Sequence, residues 1–318
     1  MNKPKNKYSE DDIINWELGQ IKTWPLLGDS VGKILKSQAR MREILLGTTN
    51  LKATVQILPY RKASATSDPD KALSGERPCF LCAANRPREQ KTLPWEGYEI
   101  LANPYPLGLP HLTIASKEHR PQLIDRAIRD MARLTRVLPD MAIFYNGPRC
   151  GASAPDHLHF QAITKSGIDT TWTIDPELTL LQAEGKARLY AIDTDLTPVP
   201  FLEIVSAADA DMLRIFRRVM SALPSADPEP MVNIWAFNTR EGTRIVIIPR
   251  RAHRPSCYGT GEGQLLVSPA SLEMSGLFTA LSPEQAAMLT EEKITEILTE
   301  VSLSKDQYKE LCGRLTDK

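Results

Sequence analysis

The sequence has little of what marks several large classes of protein. Its 318 residues carry 39 basic and 39 acidic side chains, so no positive excess exists for a sequence-independent grip on polynucleotide phosphates. Its apolar runs, such as Ile245 to Pro249, are far shorter than the roughly 20 residues that cross a bilayer. The polar N-terminus, MNKPKNKYSEDD, contains no apolar signal segment. We therefore expect a cytoplasmic protein that binds neither nucleic acid nor membranes.

Cysteine is also scarce. Five cysteines in a chain of this length are too few and too unevenly spaced for a disulfide framework, so a close pair indicates metal binding or redox chemistry. Cys79 and Cys82 form such a pair, after a loop and before a turn, whereas a redox couple should lie between a strand and a helix. A zinc half-site, a redox couple and chance remain open. Zinc would need two more ligands, and the chain has five histidines: His111, His119, His157, His159 and His253.

Apolar periodicity predicts an α+β fold. Helical stripes occupy the first 50 residues, including a run from Val31 to Leu46, and a strand is predicted over Leu51 to Leu58. Residues 63–78 are small and polar and indicate a surface loop. Two strands within 98–116, a helix from Pro121 to Leu138, and strands over Met141 to Tyr145 and His157 to Ile163 follow. This order is typical of an antiparallel sheet with a packed helix.

A weaker copy of that order appears later. PVPFLEIVS predicts a strand, Ala208 to Leu223 a helix, and MVNIWAFN and TRIVIIP a strand pair. HLTIASKEHRP and RIVIIPRRAHRP also match as strands that end in a basic cluster, which indicates an old duplication. The tail from Ser282 is helical, with Ser-x-x-Gln caps at Ser282 and Ser304. We expect four segments: a helical extension over 1–50, halves over 51–170 and 171–275, and C-terminal helices over 276–318.

The stretch CGASAPDHLHFQAI, residues 150–163, carries the most chemistry. On an extended strand His157, His159 and Gln161 share one face, because side chains alternate. Imidazole is a nucleophile near neutral pH and the commonest zinc ligand. The preceding small residues allow close backbone approach, and their N–H groups can cradle a phosphate. A solvated strand face that happens to hold two histidines is the alternative.

Three motifs in order resemble one branch of the histidine-triad superfamily. They are CFLCAANRP, ILANPYPLGLPHLTIASKEH and FYNGPRCGASAPDHLHFQ. The branch contains galactose-1-phosphate uridylyltransferase, diadenosine tetraphosphate phosphorylase and GDP-L-galactose phosphorylase, enzymes built from tandem copies. The resemblance covers residues 52–165 well and 195–255 as a degenerate second half. It implies tandem histidine-triad-like halves with an antiparallel sheet and packed helices.

The resemblance also implies roles for individual residues. His159 would be the nucleophile that forms a covalent nucleotidyl-imidazole, and Gln161 would bind the phosphoryl oxygens. A glutamine cannot donate and recover a proton as a third histidine could, which favours transfer to phosphate over hydrolysis. Ser153 and the loop amides would stabilise charge on the transferring group. The implied nucleotide-binding residues are Arg61, Asn103, Asn146, Gly151 and Ala152. Pro155-Asp156 departs from the pattern of the relatives and puts the placement of Ser153 in doubt.

For the metal, the uridylyltransferase-like set would be Cys79, Cys82, His119 and His157. Four protein ligands close the site, so the Zn²⁺ would be structural and would tie the nucleophile's strand to the preceding loop. Reduced, empty thiols are the alternative. The second half offers no further His and Glu set, and the basic cluster from Arg244 to Arg254 is either an acceptor-phosphate site or a solvated face. Trp235 and Phe237 are predicted to be core residues.

The sequence thus predicts a nucleotidyltransferase or phosphorylase. Its substrate would be a nucleotide sugar or a dinucleoside polyphosphate, and its acceptor phosphate or a sugar 1-phosphate; a homodimer is compatible with the resemblance. A hydrolase that uses the same His159 is the alternative enzyme. A zinc-stabilised nucleotide-binding module without turnover is the alternative from another class.

Overall fold

The computed structural model describes residues 8–38, 41–46, 52–62, 77–165 and 178–316. Within this part of the chain the fold is α+β, as predicted, with a ten-stranded sheet, a three-stranded sheet and packed helices. The helices are α1 (Glu10–Thr23), α2 (Pro25–Gln38), α3 (Ile128–Val137), α4 (Asp209–Ala222), α5 (Ser271–Met274), α6 (Pro283–Met288), α7 (Glu291–Val301) and α8 (Lys305–Thr316). The strands are β1 (Arg42–Leu45), β2 (Lys52–Ile57), β3 (Thr92–Trp95), β4 (Tyr98–Ala102), β5 (His111–Ser116), β6 (Met141–Asn146), β7 (His159–Thr164), β8 (Leu178–Glu184), β9 (Ala187–Ile192), β10 (Leu202–Ser206), β11 (Val232–Thr239), β12 (Gly242–Pro249) and β13 (Leu277–Ala280).

The large sheet consists of two halves with the same topology. Its order is β3-β4-β5-β7-β6 and then β11-β12-β10-β9-β8, with every neighbouring pair antiparallel. From the centre outward, the first half runs β6, β7, β5, β4, β3 and the second half runs β11, β12, β10, β9, β8. The two orders are the same when the strands of each half are numbered along the chain. In each half a helix joins the third strand along the chain to the fourth, α3 in the first half and α4 in the second. The duplication indicated by the sequence is therefore visible in the topology.

The strand registers show what the second half lacks. Directly paired residues share a face of the sheet, so the chain of pairs Gln161–Phe144, Phe144–Trp235 and Trp235–Val246 places Val246 on the face of the cleft. Strand β12, the counterpart of β7, contains no histidine on either face. The second half keeps the scaffold without a counterpart of the candidate nucleophile.

Topology corrects the sequence alignment behind the predicted duplication. HLTIAS forms β5, whose counterpart is β10, whereas RIVIIP belongs to β12, the counterpart of β7. Both segments are buried strands that end at a turn, so the likeness of HLTIASKEHRP to RIVIIPRRAHRP reflects a shared local structure and not equivalent positions. The inference of a duplication stands on the other elements.

Several element boundaries also differ from prediction. The helix predicted to reach Leu46 ends at Gln38, and Arg42–Leu45 instead forms β1, because it pairs antiparallel with β2. The helix predicted from Pro121 begins at Ile128, after turns. The hairpin of β8 and β9 has no counterpart in the sequence prediction. Most of the loop predicted over 63–78 lies outside the described residues.

The C-terminal caps at Ser282 and Ser304 form as predicted, and α1 begins with a capping box that was not predicted. In α1 the Ser9 hydroxyl accepts from the Asp12 N–H at 3.1 Å while the Asp12 carboxylate accepts from the Ser9 N–H at 2.9 Å. The hydroxyl of Ser282 accepts from the Gln285 N–H at 3.3 Å, and that of Ser304 from the Gln307 N–H at 3.2 Å. These caps satisfy N–H groups that the first turn leaves free.

The core is continuous across the two halves. Phe144 on β6 and Trp235 on β11 contact each other at the junction, with ring centroids 4.8 Å apart, and Trp235 and Phe237 are buried as predicted. Helix α3 packs on β6 and β11, and α4 packs on β9 and β10. No helix among the described residues has the length and apolar character that a membrane span requires.

Candidate functional site

A cleft of about 580 Å³ lies beside β6 and β7. All eight residues predicted to bind or react with a nucleotide line it: Arg61, Asn103, Asn146, Gly151, Ala152, Ser153, His159 and Gln161. They come from separate parts of the chain, and the fold brings them to one cavity. The N-terminal helices add Trp24 and Leu26, and the segment after β12 adds His253 and Glu273.

His159 is the first residue of β7 and is 3% exposed. Its Nδ1 lies 2.8 Å from the carbonyl oxygen of His157, so Nδ1 carries the proton and donates, which leaves the Nε2 lone pair available for reaction. Burial lowers the pKa of His159 to about 4, and the ring is neutral. Since His157 is 1% exposed, the solvated-face alternative is excluded.

Gln161, two residues further on, is held through its amide oxygen. Nε2 of His111 and Nδ2 of Asn103 approach Oε1 at 3.0 and 3.3 Å. The backbone N–H of Leu107 donates to Nδ1 of His111 at 3.1 Å, so the His111 proton is on Nε2 and is donated to Gln161. Because these donors occupy the amide oxygen, the N–H₂ group of Gln161 is the part of the side chain that can donate to a ligand. Burial and the charge of Arg61 lower the pKa of His111 to about 3.

Asn146 is oriented in a similar way at the end of β6. Its side-chain oxygen accepts from Asn233 Nδ2 at 2.9 Å and from the backbone N–H and hydroxyl of Ser271 at 2.8 and 2.7 Å. With three donors on the oxygen, the amide nitrogen of Asn146 remains as a donor at the cleft. Asn233 stands opposite Asn146 across the junction of the halves, so the second half supports this side chain.

Gly151 allows the loop before β7 to approach α5. Its φ of +90° belongs to the left-handed region, and a Cβ there would lie 2.5 Å from the Cβ of Ala270. Ser153 follows in the cleft lining, and its carbonyl accepts from Arg77 at 2.7 Å. Arg61 donates to the carbonyl of Tyr105 at 2.6 Å and faces the charge of Glu273, while burial lowers the pKa of its guanidinium.

Cys79, Cys82, His119 and His157 form a four-residue cluster whose ligand atoms all lie within 4.8 Å of one another. The Sγ–Nδ1 distances are 3.2 Å for Cys79–His157, 3.2 Å for Cys82–His119 and 3.6 Å for Cys82–His157. A tetrahedral zinc ion with bonds of about 2.3 Å to sulfur and about 2.0 Å to nitrogen separates S and N by roughly 3.5 Å. The cluster therefore has the dimensions of a closed metal site.

Further contacts orient both histidines of the cluster. The Nε2 of His157 lies 2.7 Å from the carbonyl oxygen of Ser116 and donates to it, which leaves Nδ1 unprotonated towards the thiols. The Nε2 of His119 faces the carboxylate of Asp156 at 3.7 Å. A 3₁₀ turn, Ala83–Asn85, follows Cys82 in place of the helix that a redox couple needs. His111, the other histidine considered for the metal, contacts Gln161 instead.

The basic cluster from Arg244 to Arg254 does not form one surface. Arg244 is ion-paired with Glu203 in the sheet, and Arg250 is buried, where it donates to Asn233 Oδ1, Pro269 O and Val301 O. Arg251 binds carbonyls at the end of α7. His253 is the member that lines the cleft, and it contacts the hydroxyl of Ser268 at 3.4 Å. Neither alternative considered for the cluster as a whole applies.

Two contributors to the site carry no sequence signal. His111 lies in an apolar strand, where a single histidine cannot be distinguished from a core residue. Trp24 follows α1, whose Glu17 is almost fully buried and accepts from the backbone N–H of His111 at 3.0 Å. Burial raises the pKa of Glu17 to about 7. Only the three-dimensional structure connects this extension with the cleft.

Comparison with known proteins agrees with this description. Residues 18–164 match the model of a domain of unknown function, DUF4922, and residues 211–318 match the GDPGP1-like C-terminal domain. Yeast Ap4A phosphorylase Apa2 in complex with AMP has a similar structure, with a TM-score of 0.56 and 15% identity over 83% of this chain and 88% of that one. The structure of the same yeast enzyme in complex with Ap4A gives a TM-score of 0.54 and 14% identity, over 87% of this chain and 97% of the yeast chain. No curated protein matches the chain in sequence.

The chain thus has the fold of yeast Ap4A phosphorylase and, over residues 211–318, matches the GDPGP1-like C-terminal domain. Both findings agree with the branch of the histidine-triad superfamily that the three sequence motifs resemble, and they bear out that resemblance.

Proposed function

We propose that the protein is a nucleotidyl-transferring phosphorylase that works through a covalent nucleotidyl-histidine. One observation carries this proposal: His159 is fixed by its Nδ1–H bond to the His157 carbonyl, while the ring lines a cleft shared with Gln161 and Asn146. The related folds belong to enzymes of this type. A binding module without turnover would not need a histidine held in the tautomer that reaction requires.

In the first step, Nε2 of His159 attacks the α-phosphorus of the substrate. The P–N bond forms, the bond from the α-phosphorus to the bridging oxygen breaks, and that oxygen leaves with its electron pair as a phosphate ester. Nδ1 keeps its proton, and this N–H continues to donate a hydrogen bond to the His157 carbonyl. The amide nitrogens of Gln161 and Asn146 donate to the non-bridging oxygens, where charge develops.

In the second step, an oxygen of inorganic phosphate attacks the same phosphorus. The P–N bond breaks, its electron pair returns to Nε2, and a nucleoside diphosphate is released. A nucleotide sugar would give up a sugar 1-phosphate in the first step, and a dinucleoside polyphosphate would give up a nucleoside polyphosphate. Gln161 favours this acceptor because its amide has no titratable group that could take a proton from an attacking water. Ser153, Gly151 and Ala152 would bind the phosphates, and Arg61 and Asn103 the nucleotide.

The structural metal would be zinc, held by Cys79, Cys82, His119 and His157. The thiol and imidazole donors and their spacing fit zinc. Bound there, it would join the CxxC turn, the end of β5 and the segment that leads into β7. Elemental analysis of the purified protein should give one zinc per chain, and substoichiometric zinc in all preparations would contradict this assignment.

The decisive experiment for the reaction is labelling. The protein is incubated with α-³²P-labelled nucleoside diphosphate sugars and dinucleoside polyphosphates, without and then with phosphate. We expect acid-labile, base-stable label on the wild type and none on His159→Ala. Thr243→Ala, on the sheet face opposite to the cleft, is the control variant that labels normally. Label on His159→Ala would remove the proposed nucleophile.

The same experiment separates the alternatives. Release of label as a nucleoside diphosphate on addition of phosphate identifies a phosphorylase. Release as a monophosphate at the same rate without phosphate identifies the hydrolase. Nucleotide binding without label in the presence of every substrate identifies the binding module.

A further inference from the structure

Gln122 lies behind the start of β7, between Arg120 and α3, with no exposed surface. Its side-chain oxygen accepts from the backbone N–H of His159 at 2.8 Å. Its side-chain nitrogen donates to the backbone carbonyls of His159 and Asn146, both at 3.0 Å. One amide thus binds the main chain of the two residues proposed to attack and to bind the phosphate, and those partners fix its orientation.

These hydrogen bonds stand where the ladder between β6 and β7 stops. The ladder ends at the pair Phe144–Gln161, and two positions further the same register would place His159 opposite Asn146. Directly paired strands are about 4.8 Å apart. At His159 and Asn146 the Gln122 amide links the strands in place of a direct pair, so the hydrogen bonds of this side chain bridge them there.

The main chain of Gln122 is fixed as firmly as its side chain. The hydroxyl of Tyr145 donates to the carbonyl oxygen of Gln122 at 3.0 Å, and the backbone N–H of Gln122 donates to the carbonyl of Pro155 at 3.2 Å. Tyr145 in turn lies 2.6 Å from Oε1 of Glu229. Both the main chain and the side chain of Gln122 are therefore bonded to β6 and to the segment around the start of β7, which makes Gln122 the link between the two.

We propose that Gln122 is a positioning residue that sets the distance between the nucleophile His159 and the phosphate-binding Asn146, and through it the rate of nucleotidyl transfer. This inference rests on the proposed function. Gln122 is not among the residues that line the cleft. Its effect is on geometry, and a misplacement of about 1 Å at a reacting centre can lower a rate roughly 100-fold.

The test variant is Gln122→Met, which keeps the length of the side chain and removes all three hydrogen bonds. We expect the single-turnover rate of His159 nucleotidylation to fall about 100-fold while the nucleotide Kd stays within threefold. Thr135→Val is the matched control, because it removes another buried hydrogen bond, from Thr135 Oγ1 to Ala132 O on α3. A loss confined to Kd, an unchanged rate, or an equal loss in Thr135→Val would overturn the proposal.

A conservative variant keeps the test informative if Gln122→Met folds poorly. Gln122→Glu retains the acceptor for the His159 N–H and can donate one hydrogen bond only when its carboxyl is protonated. We expect its nucleotidylation rate, relative to that of the wild type, to rise as the pH is lowered. A ratio that does not change with pH would contradict a role for the donated bonds.

One further readout separates this proposal from the proposed function. Carbethoxylation of His159 by diethyl pyrocarbonate, followed by mass spectrometry, requires no turnover, and His253 in the same cleft is the internal reference. We expect Gln122→Met to change the His159 rate at least fivefold and to leave that of His253 unchanged. If the wild type forms no nucleotidyl-histidine, the proposed function fails, and an unchanged His159 rate would show that the positioning role fails as well.

Discussion

Gln161 and Asn146 are fixed at the cleft by the same device. In each amide the oxygen is occupied by protein donors, two on Gln161 and three on Asn146, so the nitrogen is available for a ligand. Donors that are already oriented cost no reorganisation when charge develops on a substrate. The two side chains can therefore be tested by substitutions that change the nitrogen and leave the oxygen in place.

Gln161→Glu is such a substitution. The variant keeps an oxygen for His111 and Asn103, but a carboxylate replaces the N–H₂ group that would face the phosphates. We expect nucleotidyl transfer to slow by about 100- to 1000-fold, the usual effect of losing one transition-state donor, with a melting temperature within a few degrees of wild type. Single-turnover kinetics and thermal melting measure both effects. A rate within threefold of wild type would contradict the proposed role of Gln161.

Glu229 makes the stability of the protein depend on pH. Its carboxyl contacts the Tyr145 hydroxyl and the Ile124 N–H, and burial raises its pKa from 4.5 to about 7. The folded protein thus keeps a proton that the unfolded chain releases. This contribution to stability is complete below about pH 4.5 and is lost as the pH rises through about 7.

We therefore expect Glu229→Gln to unfold with a smaller pH dependence than wild type. Between pH 4 and pH 8 the wild type should lose up to about 3 kcal/mol more of its free energy of unfolding than the variant. Urea titrations at a series of pH values measure the difference. Burial also raises the pKa of Glu17 to about 7. Glu17→Gln should therefore reduce the pH dependence of stability in the same direction. Equal pH dependence in wild type and Glu229→Gln would refute the prediction.

At the scale of elements, the cysteine and histidine cluster joins the CxxC turn to two segments that are already bonded to each other. These are the segment after β5 and the segment before β7. His157 belongs to the cluster through its ring, and its carbonyl accepts from His159. The proposed zinc would therefore hold the backbone that orients the nucleophile, without taking part in the chemistry.

Metal exchange distinguishes these roles. Removal of the metal with a chelator should lower the melting temperature by several degrees and reduce nucleotidyl transfer, because a closed site contributes folding energy. Refilling with Cd²⁺ or Co²⁺ should restore both properties. A Cd²⁺ protein that melts like the zinc form but transfers more than tenfold more slowly would mean that the metal enters the reaction.

Sequence patterns predicted strands that are short apolar or alternating runs bounded by turns, such as β5, β6 and β7, and the caps at Ser282 and Ser304. They missed β1 because Arg42–Leu45 becomes a strand only by pairing with β2. They missed β8 because all of its side chains are exposed or half-buried at the sheet edge and show little alternation. The role of Gln122 could not be predicted for a different reason. A single glutamine forms no sequence pattern, and its hydrogen-bond partners are main-chain atoms.

At the scale of the whole molecule, the two halves share one sheet and one core. Antiparallel pairing of β6 with β11 and the Phe144–Trp235 contact cross the junction. We expect a single unfolding transition, with tryptophan fluorescence and far-UV circular dichroism giving the same midpoint in urea. The fragment 1–165, which ends after β7 and exposes the edge of β6, should not unfold cooperatively. Two separate transitions of the full chain would contradict a shared core.

The absence of a histidine from β12 has a consequence for how the chain tolerates change. Strand β12 has to pair, pack and support Asn146 through its neighbour Asn233, whereas the proposed function requires β7 in addition to present reactive groups at fixed spacing. In a saturation screen that selects for activity, positions of β12 should accept every residue that lets the protein fold, while His159 accepts no other residue. The same screen read for folding alone should make β7 and β12 look alike. Comparison of the two maps would trace which half of an ancient duplication still bears the chemistry.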